Sequence, residues 1–286
     1  MLETVKKTVA RSLLDKYDFK LSKNFGQNLL TDRNIAEKII AAAELREDDT
    51  VVEIGSGLGA MTVELSRQAG RVIAVEIDKK IIPILTEVLT GADNVEIVNE
   101  DFMKFDMSGI RGSFKLVGNL PYYITTPIIA KMLEGSVRPD LMVFMVQKEV
   151  AERISAAPGS RTYGAISVMA QYHSRVTYLM DVSREVFLPK PNVDSAVLLL
   201  RPATFEGEKP KDENLFFAVV RAGFGQRRKM LHNALGVLGA DKGTLTKAFE
   251  CAGIDPARRA ESLGVGEFIA LANAIYESGV ADRRNI

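Results

Sequence analysis

Five short apolar runs rich in β-branched residues punctuate the first half of the chain: TVVEI (50–54), RVIAVEI (71–77), NVEIVN (94–99), FKLVGN (114–119) and LMVFMVQ (141–147). Between them lie stretches with helical spacing of apolar positions, near 59–69, 79–90, 126–134 and 148–156. Strands that alternate with helices of this length imply crossover connections, and so a mostly parallel sheet covered on both faces. Ahead of the first strand, an amphipathic N-terminal stretch is followed by a predicted helix from Asn34 to Leu45, with Asp32 placed to cap it. The pattern predicts a doubly wound α/β domain.

The rhythm changes near residue 174. SRVTYLMDV (174–182) and VDSAVLLLRP (193–202) are β-rich and separated by a proline-bearing loop, which predicts an antiparallel addition at the end of the sheet. PATFEGEKPKDE (202–213) reads as a polar linker, and beyond it every segment reads as helix with glycine breaks at 239, 243, 253 and 264. The expected division is a domain over 1–205, with an N-terminal helical extension, and a smaller all-helical domain over 206–286 that holds RNA or substrate.

Composition narrows the chemistry. A single cysteine, Cys251, excludes an internal disulfide, and with only His173 and His232 there is little from which to build a metal centre, so none is expected. Lys+Arg and Asp+Glu number 37 each, so attraction to nucleic acid has to come from local segregation of charge. No stretch approaches the roughly 18 apolar residues of a membrane span, and the N-terminus lacks the apolar core of a signal peptide. A cytoplasmic protein without membrane attachment is expected.

The first strand runs into VEIGSGLGAMTVELS (52–66), with Gly55, Gly57 and Gly59 between strand and helix. Glycines there permit positive φ and close approach of a ligand to backbone, and the helix start offers unpaired N–H groups. The spacing is GxGxG rather than the dinucleotide-binding GxGxxG, and no basic residue lies between Glu53 and Glu64 to meet a phosphate. Glu76, at the end of the second strand, is placed to accept from both hydroxyls of a ribose. Asp101, after the third, is placed to accept from an adenine amine. A glycine floor, a ribose acceptor and a purine acceptor on one sheet edge point to an adenosine-bearing cofactor without a pyrophosphate, S-adenosyl-L-methionine first. Glu53 either holds the turn or meets the methionine ammonium.

NLPYY (119–123) follows the fourth strand. An aryl amine is a poor nucleophile because its lone pair is delocalised into the ring. Acceptance of its two N–H bonds by the Asn119 side-chain oxygen and the Leu120 carbonyl would draw the nitrogen toward pyramidal geometry and aim its lone pair. Pro121 fixes the turn, and Tyr122 offers a ring on which an unstacked base can rest, worth about 1–3 kcal/mol. Phe187, followed by Pro189 and Pro191, is either an aromatic-tipped stacking lid or a buried anchor.

Five motifs in order, KNFGQNLL (23–30), VEIGSGLGAMT, NLPYYIT, VFLPKPNVDSAV (186–197) and FGQRRKMLHNAL (224–235), resemble those of the ribosomal small-subunit RNA adenine N6,N6-dimethyltransferases over nearly the whole chain. The resemblance implies a Rossmann-like S-adenosylmethionine-dependent methyltransferase fold with a smaller C-terminal helical domain. It implies cofactor contacts from Asn28, Leu30, Gly55, Glu76, Asp101 and Asn119, with Phe187 closing over the adenine face opposite Tyr122. Its substrate would be two neighbouring adenosines near the 3′ end of 16S rRNA in an immature small ribosomal subunit, modified by a monomeric enzyme with a role in subunit biogenesis. Leu29 stands where the family usually has Phe.

From Asn214 to Ala240 there is no acidic residue, while Arg221, Arg227, Arg228 and Lys229 supply four positive charges, a pattern suited to phosphate contact. Lysines of the N-terminal stretch form a second, weaker basic patch. The rival readings are a large-subunit rRNA adenine methylase of the antibiotic-resistance type, a mainly non-catalytic ribosome assembly factor and, more distantly, a nicotinamide dehydrogenase.

Overall fold

The computed structural model describes residues 6–21, 26–121, 124–135, 137–226 and 228–279. Tyr122 and Arg227 lie outside the described residues. The chain divides into two compact units, Met1–Ala151 with Val176–Pro202, and Glu152–Arg175 with Ala203–Ile286.

The first unit is built on a seven-stranded sheet. Its strands are β2 (Thr50–Ile54), β3 (Arg71–Val75), β4 (Val95–Val98), β5 (Phe114–Asn119), β6 (Leu141–Gln147), β7 (Ser174–Val182) and β9 (Ser195–Pro202), in the order β4-β3-β2-β5-β6-β9-β7. The pairs from β4 through β6 are parallel, and β9 joins β6 antiparallel with Met142 opposite Leu200. A two-residue strand β1 (Leu29–Leu30) pairs antiparallel with β8 (Phe187–Leu188) in a separate ribbon. The helices are α1 (Lys7–Lys16), α2 (Arg33–Ala42), α3 (Ala60–Ser66), α4 (Ile82–Val88), α5 (Thr125–Glu134) and α6 (Lys148–Ile154). Asp32 accepts from Ile35 N at 3.0 Å and so caps α2, as its position predicts.

Because the chain winds outward from β2 through β3 to β4 and then returns to place β5 on the other side of β2, the strand order reverses between β2 and β5. The carboxyl ends of those strands diverge there, and that is where open α/β sheets leave a crevice. β6 is buried along nearly its full length, as expected of a strand covered on both faces. One apolar cluster gathers Ile39, Ile40, Val51, Met61, Val117 and Val143, and a second gathers Leu13, Leu29, Leu58, Ile84, Leu85 and Val88. Leu29 and Leu30 point into different clusters because successive strand residues face opposite ways.

The second unit contains α7 (Ala165–His173), α8 (Glu213–Gly225), α9 (Leu231–Ala234), α10 (Lys242–Ala252) and α11 (Val265–Glu277). Asp212 and Asp241 cap α8 and α10 through Leu215 N and Thr244 N, both at 3.0 Å. The expected division at 205/206 differs from the observed one: residues 152–175 pack with the C-terminal helices. The Tyr163 ring meets Phe224, and Gly159 N donates to Glu261 O. Gly243 is also no break; it lies in the first turn of α10.

Lys131 on α5 ties down the segment after β4. Its ammonium donates to the carbonyls of Phe102, Met103 and Phe105 at 2.8, 2.9 and 3.1 Å and lies 5.3 Å from the Phe102 ring centroid. Burial holds its pKa below the ordinary lysine value, against the attraction of Asp101, Glu100 and Asp106. Lys131→Met removes the donor shared by three carbonyls and is expected to cost about 1–3 kcal/mol in urea unfolding; unchanged stability would show that the segment is held by its apolar contacts alone.

Candidate active site

Three strand ends meet in the crevice. The turn after β2 carries Gly55, Gly57 and Gly59 at φ +74, +53 and +79, a region that residues with a Cβ rarely occupy. A Cβ on Gly57 would also press on the Leu29 side chain at 3.1 Å, so Leu29 packs directly beneath the floor of the site. The cavity above this turn has about 810 Å³ of empty volume and is lined by Asn28, Leu30, Glu53, Gly55, Glu76 and Asn119, together with Leu120 and Pro121. A neighbouring cavity of about 360 Å³ shares Gly55, Ile77 and Pro121 with it and holds Asp101. The structure thus brings the predicted methionine and ribose contacts together and places the predicted purine acceptor next door.

Glu76 lies just past the end of β3, one residue beyond the observed strand, and is buried. Its Oε2 accepts from Gly57 N at 2.8 Å and its Oε1 from Asp78 N at 2.9 Å. Burial raises its pKa, the two backbone donors oppose that rise, and the charge of Asp78 adds to it. Each carboxylate oxygen keeps further lone-pair capacity for a ligand hydroxyl. Asp101 Oδ1 accepts from Met103 N at 2.9 Å, which closes a tight turn and fixes the direction of the carboxylate.

Glu53 is fully buried. Its Oε2 accepts from the Thr62 hydroxyl at 2.5 Å, while its Oε1 has no hydrogen-bond partner among the described residues. Burial pushes this carboxyl up to about 7; the Thr62 and Ser56 hydroxyls oppose the shift and the negative charge of Glu76 reinforces it. A buried acceptor facing a cavity without a partner is costly unless a ligand supplies the donor. That unsatisfied oxygen, the glycine floor and the Glu76 carboxylate fit a group that carries an ammonium and a ribose. The acids at the turn do not fit a pyrophosphate.

Asn119 ends β5. Its Nδ2 donates to Asn28 O at 2.9 Å, and Asn28 in turn donates from its own amide to Gly26 O at 3.0 Å. With the amide nitrogen committed in this way, the side chain presents its oxygen as an acceptor without a donor among the described residues. Leu120 is held by a bond from its N–H to Met145 O at 2.9 Å, and Pro121 O accepts from Ile124 N and the Thr125 hydroxyl, both at 3.1 Å. The tight approach of Gly118 to Ile54 O, 3.0 Å from where a Cβ would sit, lets β5 lie close against β2 at this point.

Phe187 departs from the expected lid. Its ring is 2% exposed and belongs to the core cluster, because β8 pairs with β1 and sets Phe187 opposite Leu30. Of the two readings of Phe187, the structure shows the buried position. Arg221, Arg228 and Lys229 lie in the second unit at and just beyond the end of α8, all exposed. In the N-terminal patch, Lys16 is paired with Glu87 at 2.6 Å and Lys7 is bonded to Glu185 O, so both engage groups of their own unit.

Sequence reasoning missed two supports of the site. Gln27 Nε2 donates to Asp78 Oδ2 at 2.9 Å, joining the segment before β1 to the turn after β3. Gln27 sits inside a quoted motif and Asp78 follows Glu76 by two residues, but only the fold reveals that they meet. Among the described residues no cluster of His, Cys, Asp and Glu could hold a metal ion. No helix there is long and apolar enough to cross a membrane.

Residues 18–277 match the family model described as ribosomal RNA adenine dimethylase. The chain is 44% identical to ribosomal RNA small subunit methyltransferase A of Clostridium botulinum over 93% of this chain and 98% of that one. It is 43% identical to the protein of the same name from Lactiplantibacillus plantarum, over 94% of each. Among solved structures, a dimethyladenosine transferase from Plasmodium falciparum superposes with a TM-score of 0.73 at 27% identity, covering 88% of this chain and 98% of its own. The 23S rRNA methyltransferase ErmE superposes with a TM-score of 0.69 at 26% identity, covering 87% of this chain and all of its own. The chain therefore belongs to the ribosomal RNA adenine dimethylase family.

Proposed function

We propose that this protein uses S-adenosyl-L-methionine to dimethylate the N6 amines of two neighbouring adenosines near the 3′ end of 16S rRNA, acting as a monomer on an immature small ribosomal subunit. The observation that carries the reading is the Asn119 amide, turned by Asn28 so that its oxygen is left to accept in the crevice. Identity of 43–44% to small-subunit enzymes, against 26% to a large-subunit one, favours the small-subunit target over the antibiotic-resistance type. The complete acceptor set weighs against a purely non-catalytic assembly factor.

Glu53 holds the ammonium of the cofactor, Glu76 its ribose and Asp101 its adenine amine, over the floor made by Gly55 and beside Asn28 and Leu30. When bound, the cofactor supplies an electrophilic methyl carbon on a sulfonium. The target amine donates its two N–H bonds to Asn119 Oδ1 and the Leu120 carbonyl, so that its lone pair points out of the base plane toward that carbon. Pro121 keeps the two acceptors in register, and Tyr122 packs against the extruded base. The alkylated nitrogen is acidic and gives its proton to solvent, so no basic side chain is needed. After the first transfer one N–H remains, and a single acceptor still orients it for the second.

Asn119→Ala is expected to lower methyl transfer to undermodified small-subunit particles by about 100-fold or more while cofactor affinity falls only modestly; turnover near wild type would remove the amide from its role. Glu53 gives a pH test. The free protein holds this carboxyl protonated below about pH 7, whereas an ammonium favours the ionised form. Cofactor affinity should therefore rise with pH through that value and lose this dependence in Glu53→Gln, as read by calorimetric titration of both proteins under identical conditions. A profile shared by both proteins would exclude Glu53 as the titrating group. Arg221, Arg228 and Lys229 contact RNA phosphates in this reading. Replacing all three with Ala should make the slope of log affinity against log salt shallower by about 2, and an unchanged slope would leave them as ordinary surface.

A further inference from the structure

A second groove adjoins the cofactor cavity. It has about 910 Å³ of empty volume and shares Gly26, Gln27 and Asn28 with the cofactor site as a common wall. Its far side is made by Gln147 at the end of β6 and by residues 189–193. None of the ten described residues that line it is acidic, in contrast to the cofactor cavity with Glu53 and Glu76. The exposed Pro189 and Val193 give it apolar surface, with Pro191 buried; Gln147 and Asn192 contribute amides, and Lys190 contributes a cation.

We infer that this groove seats the nucleotide next to the target adenosine on the substrate strand, with Gln147 and Lys190 as its positioning residues. The inference rests on the proposed RNA substrate and adds to it a site for a residue that is not itself methylated at that moment. Three features identify the occupant. Asn119 and Leu120 line the cofactor cavity but not this groove, so a base lying here cannot offer its amine to them. The shared wall ends at Asn28, whose carbonyl holds Asn119, so an adenine delivered to Asn119 brings its strand neighbour to the other side of that wall. The apolar face of Pro189 suits a base, amides suit its polar edge, and the absence of carboxylates among the described lining residues suits the phosphate that joins the two nucleotides. Lys190 is bonded to the exposed carboxylate of Glu185. A phosphate would compete for it at the rim, where such a pair is worth little.

The test compares adenosine 5′-monophosphate with the dinucleotide adenylyl-(3′→5′)-adenosine, each titrated into the whole protein and followed by NMR. The dinucleotide should bind about tenfold more tightly than the mononucleotide. That gain should fall to about twofold or less in Gln147→Leu/Lys190→Ala, with mononucleotide affinity and melting temperature unchanged; Lys190→Ala alone, at an exposed position, should lose part of it. In methylation of small-subunit particles the same variants should raise KM and leave kcat as it was. Equal binding of the two ligands to wild type, or a gain that survives in the double variant, overturns the assignment. Because the titration needs no turnover, that result would leave the proposed reaction standing, whereas failure of either ligand to bind would count against both.

Discussion

The constraint on which the site depends is the hydrogen bond from Asn119 Nδ2 to Asn28 O. A side-chain amide presents a donor on one side and an acceptor on the other, and the two are close to isosteric. An amine target demands the acceptor; a flipped amide would set N–H against N–H. Asn119 is fixed by the middle of the sheet through β5, while Asn28 is fixed by the β1–β8 ribbon that follows it. The bond between them therefore depends on two remote parts of the chain, and the buried Phe187 that pairs with Leu30 is part of what holds the carbonyl in place. In the proposed reaction its contribution would run through that position.

The acids of the crevice follow the same logic of complementary partners. Glu76 is buried, and two backbone N–H groups meet its charge and oppose the upward shift that burial imposes on it. Glu53 is buried with only the Thr62 and Ser56 hydroxyls to oppose the cost of its charge, which leaves it half-neutralised near neutral pH and ready for a cation. A glycine turn that binds pyrophosphate depends on backbone N–H groups facing open space. Here Gly57 N is already given to Glu76. The turn is similar in its glycines and different in what it can hold.

Much of the first unit was legible because parallel strands are buried on both faces and their sequences read as apolar runs; β2 through β6 lie where those runs predict them. The Asp32 cap and the three glycines were legible because their chemistry is local. The misreadings are non-local. Phe187 has the same neighbours in sequence whether it caps a base or fills a core, and its burial follows from pairing with a two-residue strand some 157 positions earlier. Residues 152–175 continue smoothly from the first unit in sequence, but Tyr163 finds its aromatic partner Phe224 in the second. Lys131 drew no reading from the sequence, because the three carbonyls it meets are brought to it only by the fold.

An asparagine rather than an aspartate ends β5, and the neighbouring acids give the reason. Two carboxylates already share the cavity, and the one at position 53 is held near neutrality by burial and by its proximity to Glu76. A third would add like charge, raise all three affinities for protons, and itself spend part of its time protonated, when it would offer a donor to an amine that needs an acceptor. An amide does not titrate. Its oxygen stays an acceptor at every pH the fold survives, and its direction is set by Asn28 rather than by its protonation state. In the proposed reaction the pH sensitivity of the site would thereby be confined to the side that holds the cofactor, while the side that aims the nucleophile would be set by geometry alone.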